Sequence, residues 1–504
     1  MPESRTVREL RRIFLKIHTW LGLHVAILLG FVLITGSVLV MADEIEMVFH
    51  PSAWVSAPAD EAAHASFAEI YDALKTTYPE TAIMWVEKRP TAFLADRTFT
   101  RTAWGEEITI WTHPETAAVL DVTRTIGFRR ILHGLHEDLL IPLAPARLFI
   151  TALSIVVLTS VITGLVVYRR FWRGFFRLPA RGADGRTWLG GLHRLIGLWT
   201  MPFLLIVGLS SAVFFARTLG LADMGPKPAI ATERAGLLPD SADTAMIAAA
   251  EQAAMAALPD VAFEKMTMPY NARGGIVFEG RPLDALLVRD GETVSIDPSD
   301  FAVLGITHIE DRGGAARLEP LTKVFHYGTV GGTTTRLIWV VFGLASGGLV
   351  LTGALIYAAR QRADTGAGRT IWRGLGLFRW AYLLLILGMI AVVVVQYGPP
   401  GVKWAGIPPP VEAKDYVRLA SKGKLRLGED LPLRLTVSAP EVVSATITPG
   451  PGTPRQLELK PAGKNRAATF GLRGTPRDNS VEVELTLQSG EVKSFTYRLG
   501  NAIW

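Results

Sequence analysis

Five stretches of this sequence contain no Asp, Glu, Lys or Arg, and each is long enough to cross a lipid bilayer as one helix. They are 17–42, 148–168, 195–216, 337–359 and 380–402. A helix of about 20 apolar residues spans the hydrocarbon layer of a membrane. The sequence therefore predicts an α-helical membrane protein with about five spans. The last span is predicted to end near residue 398, because Gly398-Pro399-Pro400 interrupts a helix.

Basic residues are concentrated in three short segments that connect or precede the predicted spans. In 1–16, 169–194 and 360–379, Lys and Arg far outnumber Asp and Glu, and short loops of this kind stay in the cytoplasm. The N-terminus is therefore predicted to be cytoplasmic, with the spans in a bacterial inner membrane and the large segments in the periplasm. The net charge of +6 comes from the cytoplasmic segments and gives no indication of nucleic-acid binding.

These boundaries divide the chain into ten parts. They are a lead-in with the first span (1–42), a periplasmic domain with a surface helix (43–147), the second span (148–168), a basic loop (169–194), the third span (195–216), a second periplasmic domain (217–336), the fourth span (337–359), a cytoplasmic loop (360–379), the fifth span (380–398) and a periplasmic C-terminal domain (399–504). Helical spacing followed by strand-like runs predicts an α+β fold for the first two periplasmic domains.

The C-terminal domain has a different composition, with frequent Pro, Gly and Thr. Its apolar runs Leu433–Val437, Val442–Thr448 and Val481–Leu487 predict strands. We expect a small β-sandwich that packs against the rest of the chain or docks a partner.

The two halves of the membrane region repeat one pattern. His18-Thr-Trp-Leu-Gly-Leu corresponds to His193-Arg-Leu-Ile-Gly-Leu, and the turn at His113-Pro114 aligns with Asp297-Pro298 without gaps. Leu135-His136 precedes the second span as Phe325-His326 precedes the fourth, and Thr163-Gly164 matches Thr352-Gly353. Because these anchors occur in the same order, the sequence indicates a duplicated two-span unit.

The chain has no cysteine and ten histidines. The lack of cysteine excludes disulfides, iron–sulfur clusters, thiolate-ligated haem and covalently attached haem. His50, His64, His113 and His308 are interpreted as surface or loop histidines. The other six lie in or against the membrane, where ionisable side chains are costly and often functional, and imidazole is a natural axial ligand of b-type haem. The alternative is that these six bond across helices or lie at the headgroup interface.

Depth along the spans limits which histidines can bind one iron. His18 and His193 lie near the cytoplasmic ends of spans one and three, and His136 and His326 lie at the periplasmic approaches to spans two and four. We therefore predict two bis-histidine haems, one towards each face. His24 lies about 9 Å from His18 along the helix and about 120° around it, so it could bind a deeper haem instead. His133, one turn from His136, is a further alternative.

The order of these motifs resembles the PepSY-associated transmembrane family of bacterial iron-regulated membrane proteins. The resemblance covers roughly residues 8–375 and rests on His18-x-x-Leu-Gly-Leu, His193-Arg-x-x-Gly-Leu, Leu135-His136-x-x-Leu-Leu and His326-Tyr-Gly through Thr352-Gly353. It implies PepSY-like modules for the two α+β domains, b-type haem and, as in some members, reduction of ferric siderophores. The fifth span and the C-terminal domain lie outside the common core.

The predicted cytoplasmic segments are three short pieces, too small to form a flavin or nicotinamide domain, and they contain no Gly-rich dinucleotide motif. A separate cytoplasmic reductase or a membrane quinol is therefore the expected electron donor. We expect an oxidoreductase that passes electrons through two haems to an iron chelate held between the periplasmic domains, with no catalytic side chain beyond the haem ligands. Arg129, Arg130, Lys323 and Arg336 could bind haem propionates, an anionic substrate or lipid headgroups. The alternatives are a non-enzymatic binding or regulatory protein and a metal or chelate transporter.

Overall fold

The computed structural model of the 504-residue chain describes most of its residues, which form helical and β-rich parts. The described residues are 5–56, 64–89, 94–102, 105–124, 127–141, 143–168, 170–179, 184–221, 242–269, 274–283, 291–311, 318–361, 366–397, 405–407, 409–423, 425–450, 452–475 and 479–499.

Twelve helices are seen in these residues. They are α1 (Arg5–His24), α2 (Ala26–Leu39), α3 (Ala42–Phe49), α4 (Phe67–Thr77), α5 (Phe128–Glu137), α6 (Ala144–Val167), α7 (Gly185–Thr218), α8 (Thr244–Ala257), α9 (Leu318–Tyr327), α10 (Gly332–Gln361), α11 (Ala367–Gly374) and α12 (Phe378–Tyr397). By length and composition, α6, α7 and α10 can each cross a membrane. The bent pairs α1–α2 and α11–α12 raise the number of spans to five if each pair counts as one. The prediction of a membrane protein is confirmed.

The first predicted span differs from the structure in its shape. The sequence predicts one continuous helix over 17–42, but the chain bends by 67° between α1 and α2. The phenolic hydroxyl of Tyr382, on α12, donates a 2.6 Å hydrogen bond to the carbonyl oxygen of His24 at this break. A contact from a distant part of the chain therefore supports the bend, which no local sequence pattern indicates.

The α+β part contains eight strands, four from each half of the repeat. They are β1 (Ala82–Glu87), β2 (Asp96–Arg101), β3 (Glu107–Thr112), β4 (Val119–Arg124), β5 (Val261–Thr267), β6 (Ile276–Pro282), β7 (Glu292–Ile296) and β8 (Val303–Thr307). They form one sheet in the order β4-β3-β2-β1-β5-β6-β7-β8. The two modules meet where β1 pairs antiparallel with β5, with Val86 opposite Met266.

The sheet and its helices share one hydrophobic core. Helices α4 and α8 pack together against one face, and Phe67, Tyr71, Ile83, Met266 and Phe278 are buried there. The two α+β modules expected as separate domains are thus one continuous layer. Because β1 and β5 are hydrogen-bonded to each other, the two modules meet edge to edge within this sheet.

A buried carboxylate also joins the two modules. Glu251 of α8 accepts hydrogen bonds from the backbone N–H groups of Phe67 and Ala68, at 3.0 and 3.2 Å. These are N-terminal amides of α4, which have no partner inside their own helix. The Lys88 ammonium lies 3.8 Å from Glu251 and over the Phe67 ring. The second module therefore caps a helix of the first.

The C-terminal part is rich in β-strands, as the sequence predicts. Its strands are β9 (Ala405–Ile407), β10 (Val417–Ser421), β11 (Asp430–Val437), β12 (Val442–Pro449), β13 (Arg455–Leu457), β14 (Lys460–Ala462), β15 (Asn465–Arg473), β16 (Ser480–Leu487) and β17 (Val492–Arg498). They form sheets of five and four strands around one apolar core. Arg124 at the end of β4 binds Glu106 at 3.2 Å and Glu429 of the C-terminal part at 2.9 Å, which attaches this part to the edge of the eight-stranded sheet.

Candidate functional site

Four of the six histidines predicted to lie in or against the membrane form two close pairs. In pair I, the ring centroids of His18 and His193 are 6.3 Å apart, with an angle of 79° between the ring planes. In pair II, the centroids of His136 and His326 are also 6.3 Å apart, with an angle of 48°. Each pair takes one histidine from each half of the repeat. The structure thus brings together the residues that the sequence groups by depth.

Helices α6 and α10 hold the pair I rings. The Nδ1 atom of His18, on α1, lies 3.0 Å from the Thr163 hydroxyl of α6. The Nδ1 atom of His193, on α7, lies 3.0 Å from the Thr352 hydroxyl and 3.1 Å from the Leu349 carbonyl oxygen, both on α10. In each case the supporting helix is the next long membrane helix of the same half.

Pair II is also held by hydrogen bonds to neighbouring helices, but here the supporting helices come earlier in the chain than the histidines. His136 belongs to the short helix α5, and its Nδ1 atom lies 3.1 Å from the carbonyl oxygen of Val32 and 3.4 Å from the Thr35 hydroxyl, both on α2. His326 belongs to α9, and its Nδ1 atom lies 3.0 Å from the Ser210 hydroxyl of α7.

These hydroxyl groups fix which nitrogen of each ring carries the proton. Each of the four donates its own hydrogen to a carbonyl about one turn earlier, at 2.7 Å from Thr163 to Thr159, 2.8 Å from Ser210 to Ile206, 2.9 Å from Thr35 to Phe31 and 2.8 Å from Thr352 to Leu349. The hydroxyl oxygen is then left to accept the Nδ1–H of the histidine. The Nε2 atom of each neutral ring keeps its lone pair, which is the state that a metal ligand requires.

One repeated spacing in the sequence encodes this arrangement. The distance along the chain from His18 to Thr35 equals the distance from His193 to Ser210. The long helix α7 therefore carries a histidine of pair I and a supporting hydroxyl of pair II, roughly 25 Å apart along the helix axis. Sequence reasoning missed the role of these hydroxyl residues, because Ser and Thr in a membrane helix are equally typical of close helix packing.

Glycines adjoin three of the four rings. A Cβ atom at Gly36 would lie 2.6 Å from Cε1 of His136, a distance that side chains do not tolerate. The corresponding distances are 3.3 Å from Gly353 to His193 and 3.6 Å from Gly164 to His18. Each glycine follows the hydroxyl residue that supports the ring, so the Thr-Gly pair combines a hydrogen-bond acceptor with space for the imidazole.

The two alternative ligands lie outside both pairs. His24 stacks on Trp20, with ring centroids 4.9 Å apart, and its Nδ1 lies 3.0 Å from the Trp20 carbonyl oxygen. His133 lies 3.3 Å from Glu137, one turn further along α5. Within the described structure, neither imidazole stacks on a histidine of the pairs.

The four histidines predicted to lie away from the membrane make local contacts within the α+β part. His64 lies 2.6 Å from the buried carboxylate of Asp96, and His308 lies 2.7 Å from Glu292. His50 lies 3.7 Å from Asp121, and Nδ1 of His113 accepts the backbone N–H of Glu115. His64 lies outside the helices and strands and is partly buried.

Two of the four basic residues expected to bind an anion are occupied by carboxylates of the chain. Arg336 donates to both carboxylate oxygens of Glu44, at 2.5 and 2.6 Å, and to the Val40 carbonyl oxygen. The Arg129 Nε atom lies 2.8 Å from Asp43. Arg130 is exposed on α5, and Lys323 lies one turn before His326 on α9. Arg129 and Arg336 therefore connect elements of the fold.

Asp43 is the centre of an ion network between the sheet and the helices. It binds Arg89 and Arg129 and lies 3.7 Å from Arg97, which also pairs with Glu87 at 2.6 Å. Burial favours the neutral carboxyl, but the three guanidinium groups outweigh it and hold the pKa of Asp43 well below its ordinary value. Because α5 carries both Arg129 and His136, this network connects the sheet to pair II.

The described residues contain no group of three or more His, Cys, Asp or Glu side chains that could hold a bare metal ion. Pairs I and II each bring two imidazole rings to a centroid distance of 6.3 Å. Such a pair suits an iron whose remaining positions are filled by a macrocycle, because haem needs only axial ligands from the protein.

This fold and this site define a class of α-helical membrane protein with α+β and β-rich parts beside the helices. The chain belongs to the PepSY-associated TM region family, whose model matches residues 15–360. It is also similar to an uncharacterised protein of Pseudomonas aeruginosa, PA4219, with 30% identity over 96 residues. That alignment covers 19% of this chain and 24% of the relative, so the chain spans about a quarter of the relative's length.

Proposed function

We propose that this protein is a di-haem b electron-transfer protein that reduces a ferric siderophore or another iron chelate on the periplasmic side of the bacterial inner membrane. His18 and His193 would be the axial ligands of one haem, and His136 and His326 would be those of the other. The observation that carries the proposal is the equal 6.3 Å separation of the two histidine pairs.

The separation suits a metal between the rings. With about 2.0 Å between a metal and each imidazole nitrogen, two rings on opposite sides of an iron have centroids roughly 6 Å apart. The Nδ1 contacts leave all four Nε2 atoms as acceptors. The absence of cysteine also leaves histidine as the natural ligand for a non-covalently bound haem.

Haem iron with two neutral imidazole ligands carries one electron at a time without opening a site for oxygen. The contribution of the chain is to hold and orient these imidazoles. The hydroxyls of Thr163, Thr352, Thr35 and Ser210 fix the tautomer and the ring angle, and such hydrogen-bond partners also raise the basicity of the ligand.

The substrate would be a ferric chelate near pair II. Ferrous iron binds hard oxygen donors less tightly than ferric iron, so reduction would release the metal. Arg130 and Lys323 lie on the same short helices as His136 and His326 and would attract an anionic chelate to this end of the bundle. The closed β1–β5 junction makes this position more suitable than one between the two α+β modules.

The first experiment is a reduced-minus-oxidised absorption spectrum of the purified protein, with pyridine haemochrome quantification. We expect a b-type signal from about two haems per chain. Single His→Ala variants at positions 18, 193, 136 and 326 should each lose about half of it. His133→Ala is the matched control and should keep both haems, because its ring lies outside the pairs.

A spectrum without a Soret band, after expression with ample haem, would contradict the proposal and favour a membrane-anchored binding or regulatory protein. Bound haem together with ferric-chelate uptake into sealed vesicles, and no ferrous iron produced outside, would favour a transporter. Formation of a ferrous complex by the reduced wild-type protein, with loss in the His326→Ala variant, would support reduction at pair II.

A further inference from the structure

We infer that the cluster formed by Trp20, His24 and Phe378, named here the His24 niche, binds the ring of a membrane quinol. The quinol would be the electron donor, so this inference rests on the proposed function and specifies its substrate on the donor side. His24 is a histidine that neither pair uses, and it lies on α1, the helix that also carries His18.

The three rings of the niche form an aromatic surface. The centroid of His24 lies 4.9 Å from that of Trp20, with 26° between the planes, and 5.0 Å from that of Phe378. Trp20 and Phe378 meet edge to face at 5.9 Å. Trp20 and Phe378 remain 50% and 39% exposed, so a planar ring can reach them from the lipid side and stack there.

The niche also has one oriented polar atom. The His24 Nδ1 atom lies 3.0 Å from the Trp20 carbonyl oxygen. A carbonyl oxygen only accepts, so Nδ1 carries the proton and Nε2 is a hydrogen-bond acceptor. An acceptor beside an aromatic surface is what a quinol hydroxyl group requires. A lipid acyl chain has no hydrogen-bond donor for this nitrogen.

The niche is specific to the first half of the repeat. It lies at the break between α1 and α2, where Tyr382 of α12 binds the His24 carbonyl oxygen. Phe378 and Tyr382 both lie beyond residue 360, where the family match ends. The repeat places Trp199 at the position of His24, and there the indole donates to the Phe175 carbonyl oxygen while α7 continues unbroken. The fifth membrane helix thus completes a site that the duplicated unit lacks.

The apolar character of the niche indicates the class of the donor. The predicted cytoplasmic segments are three short pieces that cannot form a nucleotide-binding domain of their own, so the donor is a separate molecule. A soluble reductase would dock on charged surface, whereas this niche consists of aromatic rings with exposed faces. It lies about 9 Å along α1 from His18, which is close to pair I.

The reaction balances without a further reagent. The quinol loses two electrons and two protons and becomes a quinone. One hydroxyl proton passes to Nε2 of His24 and the other to water. The two electrons leave one at a time, and each reduces the ferric ion of one chelate molecule to ferrous iron, so that one quinol serves two chelate molecules.

The test uses the full-length protein in lipid nanodiscs and two probes. A photoreactive azidobenzoquinone with a short alkyl chain is cross-linked, and labelled peptides are identified by mass spectrometry. We expect label on the peptides containing Trp20 and Phe378, competition by decylquinone, and a loss of about fivefold or more in Trp20→Ala, because the stacking surface is removed. Trp199→Ala is the matched control. Trp199 is equally exposed and occupies the position of His24 in the second half of the repeat, but it lies outside the niche, so this variant should keep the label.

The second probe is decylquinol, which separates this inference from the proposed function. His24→Leu should slow reduction of the protein by decylquinol by about 100-fold, the usual contribution of a proton acceptor, while reduction by dithionite and the haem content remain unchanged. Label spread evenly over lipid-facing helices, or equal decylquinol rates in both proteins, would overturn the niche as the donor site. If no haem is bound, the proposed function fails, and the labelling pattern still decides whether the niche binds a quinone.

Discussion

Gly36 lies against the imidazole of His136, so close that a Cβ atom there would be 2.6 Å from Cε1 and 3.0 Å from Nδ1 of the ring. The two residues belong to α2 and α5, and the ring occupies the space that a side chain at position 36 would need. The glycine is therefore required by the position of a neighbouring imidazole, since its own backbone is ordinary helix.

Gly36→Ala should displace His136 and disturb pair II. We expect loss of about half of the b-type absorption, or a marked change of the pair II spectrum, because a displaced axial ligand cannot stay aligned. The matched control is Gly164→Ala, whose Cβ would lie at an ordinary 3.6 Å from His18. Equal spectra for the two variants would show that ring placement does not depend on this contact.

Ser210 and Thr35 allow the hydrogen bonds to the two histidines of pair II, the haem ligands in the proposed function, to be tested within one pair. Ser210→Ala removes the one described hydrogen-bond partner of His326 Nδ1, whereas Thr35→Val leaves His136 with the Val32 carbonyl oxygen at 3.1 Å. Loss of a hydrogen bond worth about 1 kcal/mol makes the ligand less basic and should raise the pair II midpoint potential by roughly 40 mV.

Redox titration followed at the absorption maximum measures this effect. Thr35→Val should change the potential much less than Ser210→Ala, and the pair I potential should stay constant in both variants. A fall of the pair II potential in Ser210→Ala, or equal shifts in both variants, would contradict the assigned donor and acceptor roles.

Much of the site could be predicted from sequence because it depends on repeated local patterns. His18 and His193 open similar apolar runs, and His136 and His326 precede similar runs, so their common depth follows from sequence position alone. The strands of the C-terminal part are also predictable, because each depends on a local apolar run. The runs 433–437 and 481–487 fall inside β11 and β16.

The remaining features depend on contacts between distant residues, which periodicity does not encode. The β1–β5 pairing joins Val86 to Met266 and turns two modules into one sheet. The bend after His24 is supported by Tyr382, and Arg129 pairs with Asp43 on another helix. In each case the local sequence is compatible with the simpler prediction, and a tertiary contact decides.

Glu251 makes the joining of the two modules testable. Glu251→Ala should lower the free energy of unfolding by about 3 kcal/mol. The substitution leaves the buried Lys88 ammonium without the Glu251 carboxylate and two amides of α4 without an acceptor. Hydrogen exchange of the Phe67 and Ala68 amides should accelerate in parallel. The control is Glu69→Ala, which removes the exposed capping box of the same helix and should cost about 1 kcal/mol. A smaller effect for Glu251 than for Glu69 would contradict the role of this cap.

Asp43 should determine how the α+β part responds to acid. The pKa of this carboxyl is lower in the folded chain than in the unfolded chain, because Arg89, Arg129 and Arg97 favour the charged form and outweigh the effect of burial. A carboxyl of this kind stabilises the fold above its unfolded-state pKa of about 4, and the contribution is lost as the pH falls from there towards the folded-state pKa.

Asp43→Asn should therefore lower the free energy of unfolding at neutral pH by about 3 kcal/mol, since three guanidinium groups lose their shared counter-charge. The variant should also lose part of the acid dependence that the wild-type protein shows below about pH 4. Thermal unfolding in detergent, followed by circular dichroism from neutral pH into the acid range, measures both effects. Asp121→Asn is the control, because that carboxylate contacts Ser52 and His50 and none of the three arginines. An acid limb that is identical in Asp43→Asn and the wild-type protein would show that the network does not govern this transition.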